Sequence, residues 1–257
     1  MSLPHFFAGA PPAGETVELG PEDARHAVRS LRLGPGDRLT SGDGRGAVAV
    51  CRIEEAGRGR VLARVEAREE HPAPGPEVSV LLAPPKGERL AWAIQKLTEV
   101  GTDRIVLVEA DRSVRRWSGE RAGKGLERAR GTAREAAKQS RRPFLPEVEG
   151  PLPWNEAMGE AASRGPLVLL WEEATRGLAS AIPQDPPAAI SVAVGPEGGI
   201  TEREARDAEA RGASVAALGT TILRTETAAL AAASIVLSRY GRLGDRGEPL
   251  DPGGPRG

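Results

Sequence analysis

The chain has 257 residues, of which 39% are hydrophobic and 28% charged, and its formal net charge is −1. These values are typical of a folded globular protein of one large or two ordinary domains, and they exclude a disordered or fibrous chain. The single cysteine, Cys51, excludes an internal disulfide and any zinc site built from several cysteines. The three histidines are too far apart in sequence for ligand-type spacing, so we expect no metal.

The N-terminal stretch "MSLPHFFAGA" lacks the charged start and long apolar core of a signal peptide. The longest weakly polar run, "TAALAAASIVLS" at 227–238, is too short to span a bilayer. We therefore expect a cytoplasmic protein with no membrane partner.

The small net charge conceals an uneven distribution. Between Arg112 and Arg142 there are eleven Lys and Arg against three Glu, a local balance of +8. A basic stripe on an otherwise acidic chain suits a polyanion such as RNA, and Trp117 inside it adds a stacking surface. The alternative is an ordinary solvated helix face, with Trp117 packed against apolar neighbours.

The first seventy residues predict a small β-barrel-like domain with one helical insert, "PEDARHAVRSL". We read "GDGRG" as a hairpin turn, because a strand follows it where a phosphate loop would lead into a helix. A proline-rich break, "HPAPGPE" at 71–77, separates this region from the next, so we expect domains at 1–71 and 72–244 and a disordered tail at 245–257. The strands expected in the first domain are "TVEL", "DRLTSGD", "AVAVCRIEEA" and "RVLARVEA".

Beyond the break, apolar runs alternate with helical patterns, which predicts an α/β domain with a mainly parallel sheet covered by helices on both faces. Gly101 is the expected C-terminal cap of the first helix. The expected strands are 78–83, 104–109, 167–171, 190–194 and 214–218, and the expected helices are 86–101, 121–140, one starting at Thr201, and 226–240.

Two turns follow strands of this sheet, where ligands collect in open α/β folds. In "VAVGPEGGIT", at 192–201, Gly195 offers a backbone φ closed to other residues, Gly198-Gly199 gives close access to bare backbone, and Thr201 begins a capping box with Glu204. A phosphate is disfavoured, because Glu197 would repel it and no G-K-[ST] follows. A tight turn without a ligand remains the alternative.

The second turn, "LGTTILRTETAAL" at 218–230, places Arg224 and Glu226 at the start of an alanine-rich helix. Thr225 or Thr227 can cap this helix, and Glu226 suits its positive end. Neither argument accounts for Arg224, because a cation gains nothing at that end of the helix dipole.

Together, "GPEGGIT" and "LGTTILRTETAAL" resemble the signature of the SPOUT superfamily of S-adenosylmethionine-dependent RNA methyltransferases. Within it the chain resembles the RsmE-type family, which methylates uridine N3 in small-subunit (16S) ribosomal RNA. Further similar segments occur in the same order: "ARHAVRSLRLGPGD", "KGERLAWAIQKLTEVG", "DRSVRRW" and "REAAKQSRRPFLPEV". The chain departs from the family pattern at Lys138 and Arg141, where an acidic or small residue and a glycine are expected.

The resemblance implies a C-terminal trefoil-knotted domain, an N-terminal PUA-like RNA-binding domain and a homodimer. It also implies that S-adenosylmethionine lies against the loops at 170–171, 195–200 and 218–223. The cofactor-binding residues expected on this basis are Leu170, Trp171, Gly195, Glu197, Gly198, Gly199, Ile200, Leu218, Gly219, Ile222 and Leu223.

For methylation of uridine N3, Arg224 is the candidate to stabilise the uracil anion, and Glu226 the candidate to orient that arginine or take the proton. A buried Arg224–Glu226 pair that only shapes the fold is the alternative. The candidate RNA-binding residues are His26, Arg29, Arg32, Arg112, Arg115, Arg116 and Arg142. A methyltransferase acting on another RNA site, or a non-catalytic RNA-binding protein, remains the alternative function.

Overall fold

The computed structural model describes residues 3–8, 14–57, 59–113 and 120–244. The chain forms two compact units. The first contains the described part of Met1–Ala73 together with Ala137–Leu145, and the second contains the described parts of Pro74–Ala136 and Pro146–Arg246. The segment 137–145 thus belongs to the N-terminal unit. The sequence predicted a single domain boundary near residue 71 and did not predict that a later segment returns to the first unit.

The first unit is built on a five-stranded mixed sheet with the order β1-β3-β4-β5-β2. The β1–β3 pair is parallel and the other pairs are antiparallel. A short helix, α1 (Pro21–Arg25), continues into a π-helical turn at His26–Ser30. The four strands expected from the sequence are present, and β1 is additional. The strands are β1 (His5–Phe7), β2 (Thr16–Leu19), β3 (Arg38–Gly42), β4 (Ala47–Gly57) and β5 (Arg60–Glu70).

Segment 137–145 packs on this sheet through backbone and side-chain contacts. Leu145 donates its N–H to the Gly44 carbonyl oxygen at 2.9 Å. A Cβ at Gly46, whose φ is +116°, would lie 2.8 Å from Cζ of Phe144. Lys138 Nζ lies 2.6 Å from Asp23 Oδ1, with both side chains buried. The lysine that departs from the family pattern therefore has a buried anionic partner within its own unit.

The second unit contains a six-stranded sheet with the order β11-β9-β10-β6-β7-β8, in which every neighbouring pair is parallel. The strands are β6 (Glu77–Leu82), β7 (Arg104–Glu109), β8 (Glu147–Pro153), β9 (Leu167–Leu170), β10 (Ala189–Val194) and β11 (Ser214–Ala216). The helices are α2 (Arg89–Val100), α3 (Glu120–Ser140, of which 137–140 belong to the first unit), α4 (Trp154–Arg164), α5 (Leu178–Ala181), α6 (Glu202–Ala210) and α7 (Thr225–Arg239).

Helices bury both faces of this sheet. Successive residues of a strand point to opposite faces, so apolar residues of one strand belong to two different clusters. In β10, Ile190, Val192 and Val194 belong to one apolar cluster and Ala193 to the other. Helices α2, α3, α5 and α7 cover the first face, and α4 and α6 cover the second. The predicted parallel sheet with helices on both faces is therefore confirmed. Gly101 ends α2 in the left-handed conformation, as expected.

Strands β11, β9 and β10 are adjacent and parallel. Their carboxyl ends therefore lie side by side at one edge of the sheet, which is where α/β folds place ligands. The segments that leave these three ends begin at Trp171, Gly195 and Ala217.

Candidate active site

A cavity of about 160 Å³ opens at the carboxyl ends of β9, β10 and β11. Nine of the eleven expected cofactor-binding residues line it: Leu170, Trp171, Gly195, Gly199, Ile200, Leu218, Gly219, Ile222 and Leu223. Eight further residues line it, none of them among the individual residues predicted to bind the cofactor: Glu172, Val194, Pro196, Ala217, Thr220, Thr221, Thr225 and Ala228. Six of the eight lie within the motifs at 192–201 and 218–230, and Glu172 and Ala217 are direct sequence neighbours of predicted residues.

The glycine turn after β10 is held tightly by its neighbours. A Cβ at Gly195 would lie 2.6 Å from Cδ1 of Ile200, so an apolar contact is what excludes a side chain there. The φ of Gly195 is not in the left-handed region, so the prediction that this glycine needs a φ closed to other residues is wrong. Gly199 does have such a φ, +75°, and its added Cβ would lie 2.9 Å from Glu172 Oε1.

The start of α6 fixes the other side of this turn. Thr201 and Glu204 form the predicted capping box, in which Thr201 Oγ1 accepts from Glu204 N and Glu204 accepts from Thr201 N. The other oxygen of Glu204 accepts the backbone N–H of Asp111 at 2.7 Å. One buried carboxylate therefore joins the loop after β7 to the glycine turn.

Glu197 and Gly198 lie outside the cavity lining, and each has a different neighbour. Glu197 Oε1 accepts the backbone N–H of Lys86 at 3.1 Å and lies 3.8 Å from Arg89 Nη1. Arg112 donates from Nη1 to the Gly198 carbonyl oxygen at 3.2 Å. Glu197 thus holds the segment before α2, and Gly198 allows the close approach of Arg112.

The loop from Leu218 to Leu223 presents apolar side chains and unused backbone groups together. Ile222 is 91% exposed and Leu223 is partly exposed, which is unusual for large apolar residues. Across the part of the chain that the structure describes, the N–H groups of 218–223 donate no hydrogen bond to another backbone group. This combination can bind a flat ligand with hydrogen-bonding edges.

The first turn of α7 departs from the expected cap. Neither Thr225 nor Thr227 caps this helix, whose N-cap residue is Arg224 without a side-chain cap bond. Thr225 instead donates its hydroxyl to the Gly195 carbonyl oxygen at 3.1 Å, which joins α7 to the glycine turn.

Arg224 and Glu226 line a second cavity of about 710 Å³, between α2 and the start of α7. Arg224 is exposed, whereas Glu226 is only 8% exposed. Glu226 Oε1 lies 3.7 Å from Arg89 Nε, and among the described residues no ion pair joins Glu226 to Arg224. The buried Arg224–Glu226 pair considered as an alternative is therefore not what the structure contains. Sequence reasoning missed Arg89, because nothing in the spacing along the chain connects it with Glu226.

The candidate RNA-binding residues fall on both units. His26, Arg29 and Arg32 are exposed in the first unit, and Arg142, in the same unit, is partly buried. Arg112 is exposed in the second unit. Arg115, Arg116 and also Trp117 lie outside the described residues.

Within the described ranges, no three His, Cys, Asp or Glu side chains cluster as metal ligands would. None of the described helices is both long enough and apolar enough to cross a membrane.

The chain matches two families over successive regions. Residues 71–237 match the family described as RNA methyltransferase domain, and residues 19–66 match the RNA methyltransferase PUA domain. The ribosomal RNA small subunit methyltransferase E of Mycobacterium bovis is 38% identical over 237 residues, which cover 90% of each chain. The chain belongs to the ribosomal RNA small subunit methyltransferase E family. The Bacillus subtilis member is 30% identical and covers 86% of this chain and 89% of its own.

Solved structures of similar proteins agree with this membership. The methyltransferase E of Neisseria gonorrhoeae, bound to S-adenosyl methionine, superposes with a TM-score of 0.85 at 29% identity and covers 93% of this chain and 98% of its own. A Legionella pneumophila methyltransferase in complex with the same cofactor has a TM-score of 0.85 at 27% identity, with the same coverage. The methyltransferase E fold therefore extends over nearly the whole chain.

Proposed function

We propose that this methyltransferase E family member transfers a methyl group from S-adenosylmethionine to N3 of a uridine in small-subunit ribosomal RNA. The observation that carries the proposal is the cavity at the carboxyl ends of β9, β10 and β11. Both motifs that resemble the family signature meet there, in a chain that belongs to the family. Two relatives of the same fold were crystallised with this cofactor.

The cavity suits the adenosine part of the cofactor. Leu218, Ile222 and Leu223 offer apolar surface to the adenine ring, and the N–H groups of the same loop can pair with its edge. A Cβ added at Gly219 would meet no atom within 4 Å, so any side chain there would extend into open space. Gly219 therefore leaves room for a ligand against the backbone.

When bound, the cofactor supplies an electrophilic methyl group. The protein has to hold the uridine nitrogen in line with that methyl, which is catalysis by positioning. The proton on N3 has to leave as the new bond forms, and Glu226 Oε2 is the group placed to receive it. The guanidinium of Arg224, in the same cavity, stabilises negative charge on the uracil oxygens.

The proposal includes contacts with the phosphates of the ribosomal RNA. These contacts are made by His26, Arg29, Arg32, Arg112, Arg115, Arg116 and Arg142.

The proposal also includes a homodimer, with a trefoil knot around the cofactor loops. Because the substrate is ribosomal RNA, we expect the protein in the cytoplasm. Sedimentation of the purified protein tests the dimer directly.

The decisive experiment supplies the purified protein with labelled S-adenosylmethionine and small ribosomal subunits from cells that lack this enzyme. Nucleoside mass spectrometry is expected to detect 3-methyluridine in the 16S RNA. A different methylated nucleoside would support a methyltransferase acting on another site. Absence of both transfer and calorimetric cofactor binding would support a non-catalytic RNA-binding protein and overturn the proposal.

A further inference from the structure

The second cavity is lined by charged and aromatic side chains that do not line the cofactor cavity. One face of α2 contributes Arg89, Trp92 and Gln95, which are spaced by three residues and so project from the same side of the helix. The start of α7 contributes Arg224, Glu226 and Thr227. Glu88 and Ala91 from the α2 region and Thr132 of α3 complete the lining, so the cavity combines two cations, two carboxylates, one amide, two threonine hydroxyls and one aromatic ring.

Glu226 brings a buried carboxylate to this cavity. Its side chain is about nine-tenths buried, and its Oε1 lies toward Arg89. Its Oε2 is buried and has no hydrogen-bond partner in the described part of the chain. A buried carboxylate oxygen without a donor is costly, so a hydrogen-bond donor from outside the chain is expected at Oε2.

We propose that this cavity is the subsite for the acceptor base of the RNA, and that it selects uracil. The proposal rests on the function proposed above and deepens it. The pairing edge of uracil presents a carbonyl oxygen, the N3–H and a second carbonyl oxygen. A carboxylate accompanied by Arg89 and Arg224 offers one acceptor and two donors, which is the complementary set. Cytosine carries no hydrogen on N3 and would leave Glu226 Oε2 unpaired, so the site discriminates against it.

Trp92 supplies the stacking surface. It is 40% exposed on α2, although large aromatic side chains are mostly buried in folded chains. Sequence-specific RNA recognition uses splayed-out bases stacked on such rings. Trp92 therefore holds the plane of the base while Glu226 reads its edge. Arg89 Nε lies 3.7 Å from Oε1 of Glu226, so its charge attracts that oxygen and leaves Oε2 for the base.

Both cavities draw lining residues from the start of α7. Thr225 lines the cofactor cavity, and Arg224 and Glu226, its neighbours in sequence, line the second. A base held at Glu226 is therefore presented close to the cofactor loops, as methyl transfer to N3 requires.

The test compares Trp92→Ala and Trp92→Phe with Ile235→Ala, which removes a similarly exposed apolar side chain of α7 outside the cavity. The substrate is the small ribosomal subunit, and cofactor binding is measured separately by calorimetry. Trp92→Ala is expected to raise KM for RNA about tenfold, because loss of one stacked base weakens RNA binding by roughly that factor or more. Trp92→Phe is expected to keep most of the affinity, and cofactor Kd is expected to stay within about twofold in all three variants.

Two further substitution sites test the cavity independently of the Trp92 ring. Ala91→Phe fills the cavity from the exposed surface of α2 and is expected to block methyl transfer without loss of cofactor binding. Arg89→Ala is expected to lower kcat more than it raises KM, and Arg89→Lys to restore part of kcat.

The outcomes distinguish this inference from the proposed function. Wild-type RNA methylation with an unchanged KM in Trp92→Ala and full activity in Ala91→Phe would overturn the base subsite and leave the function intact. Loss of RNA affinity that sedimentation traces to a changed oligomeric state would also overturn it, because Trp92 would then be a subunit contact. Absence of methyl transfer by the wild-type protein would overturn both.

Discussion

Glu204 accepts the backbone N–H of Asp111 at 2.7 Å through one carboxylate oxygen and that of Thr201 at 2.9 Å through the other. The residue is 2% exposed, and both bonds are partly buried. Asp111 follows β7 and Thr201 follows the glycine turn after β10. A single side chain thus fixes the spacing of two loops at the edge of the sheet where the candidate site lies.

Glu204→Ala is expected to lower the free energy of unfolding by about 2–4 kcal/mol, because it leaves two partly buried N–H groups without their acceptor. Urea unfolding followed by circular dichroism measures this change. Glu202→Ala is the matched control, since Glu202 is exposed in the same helical turn and should change stability by less than about 0.5 kcal/mol. Equal effects of the two substitutions would contradict the role assigned to Glu204.

Gly195→Ala is expected to weaken cofactor binding by about tenfold and to lower the free energy of unfolding by about 1–3 kcal/mol. The physical reason is that the new Cβ would lie 2.6 Å from Cδ1 of buried Ile200, which must then move. Calorimetry with S-adenosylmethionine and urea unfolding measure the two effects. Gly219→Ala is the control for stability, because its Cβ meets no atom within 4 Å. Wild-type cofactor affinity in Gly195→Ala would show that Ile200 does not need its present position.

The sequence predicts well those elements whose signal is local. The apolar strands β6, β9 and β10 and the Thr201–Glu204 capping box were identified from sequence, because burial on both sheet faces and helix capping impose local patterns. Strand β8, "EVEGPLP", was not predicted, because a glycine and two prolines interrupt its pattern at the edge of the sheet.

The features that the sequence did not predict depend on contacts between residues that are distant in sequence. Lys138 meets Asp23 across 115 positions of sequence, and Arg89 meets Glu226 across 137, so no spacing rule reveals either pair. Arg141 has a φ of +56°, the left-handed conformation that glycine adopts without cost, and it stands where the family resemblance predicts glycine. The glycine expected from the resemblance would take this conformation more easily than the arginine present.

His5 makes stability depend on pH. Burial lowers the pKa of its imidazole to about 4 from 6.5, and the charge of Arg141 acts in the same direction. The folded state thus favours the neutral ring, so this stabilisation is complete above pH 6.5 and is lost as pH falls toward 4. The shift corresponds to about 3 kcal/mol.

We expect the free energy of unfolding to fall between pH 7 and pH 4.5, and His5→Gln to flatten that dependence. Urea unfolding at intermediate pH values measures it. His26→Gln, at an exposed position of the same unit, is expected to retain the wild-type slope. The same slope in His5→Gln and the wild type would assign the pH dependence to other groups.

Arg224→Ala is expected to reduce kcat for RNA methylation at least about a hundredfold, because it removes a cation placed to stabilise charge that develops on the uracil oxygens. Cofactor Kd is expected to stay within about twofold, since Arg224 lines the second cavity and not the cofactor cavity. Single-turnover methyl transfer to small ribosomal subunits separates this chemical step from RNA binding. Arg239→Ala, an exposed arginine in the last turn of the same helix, is the matched control and should retain wild-type kcat. If Arg224→Ala raised only KM for RNA, Arg224 would be a binding residue, and the stabilising charge would have to come from Arg89.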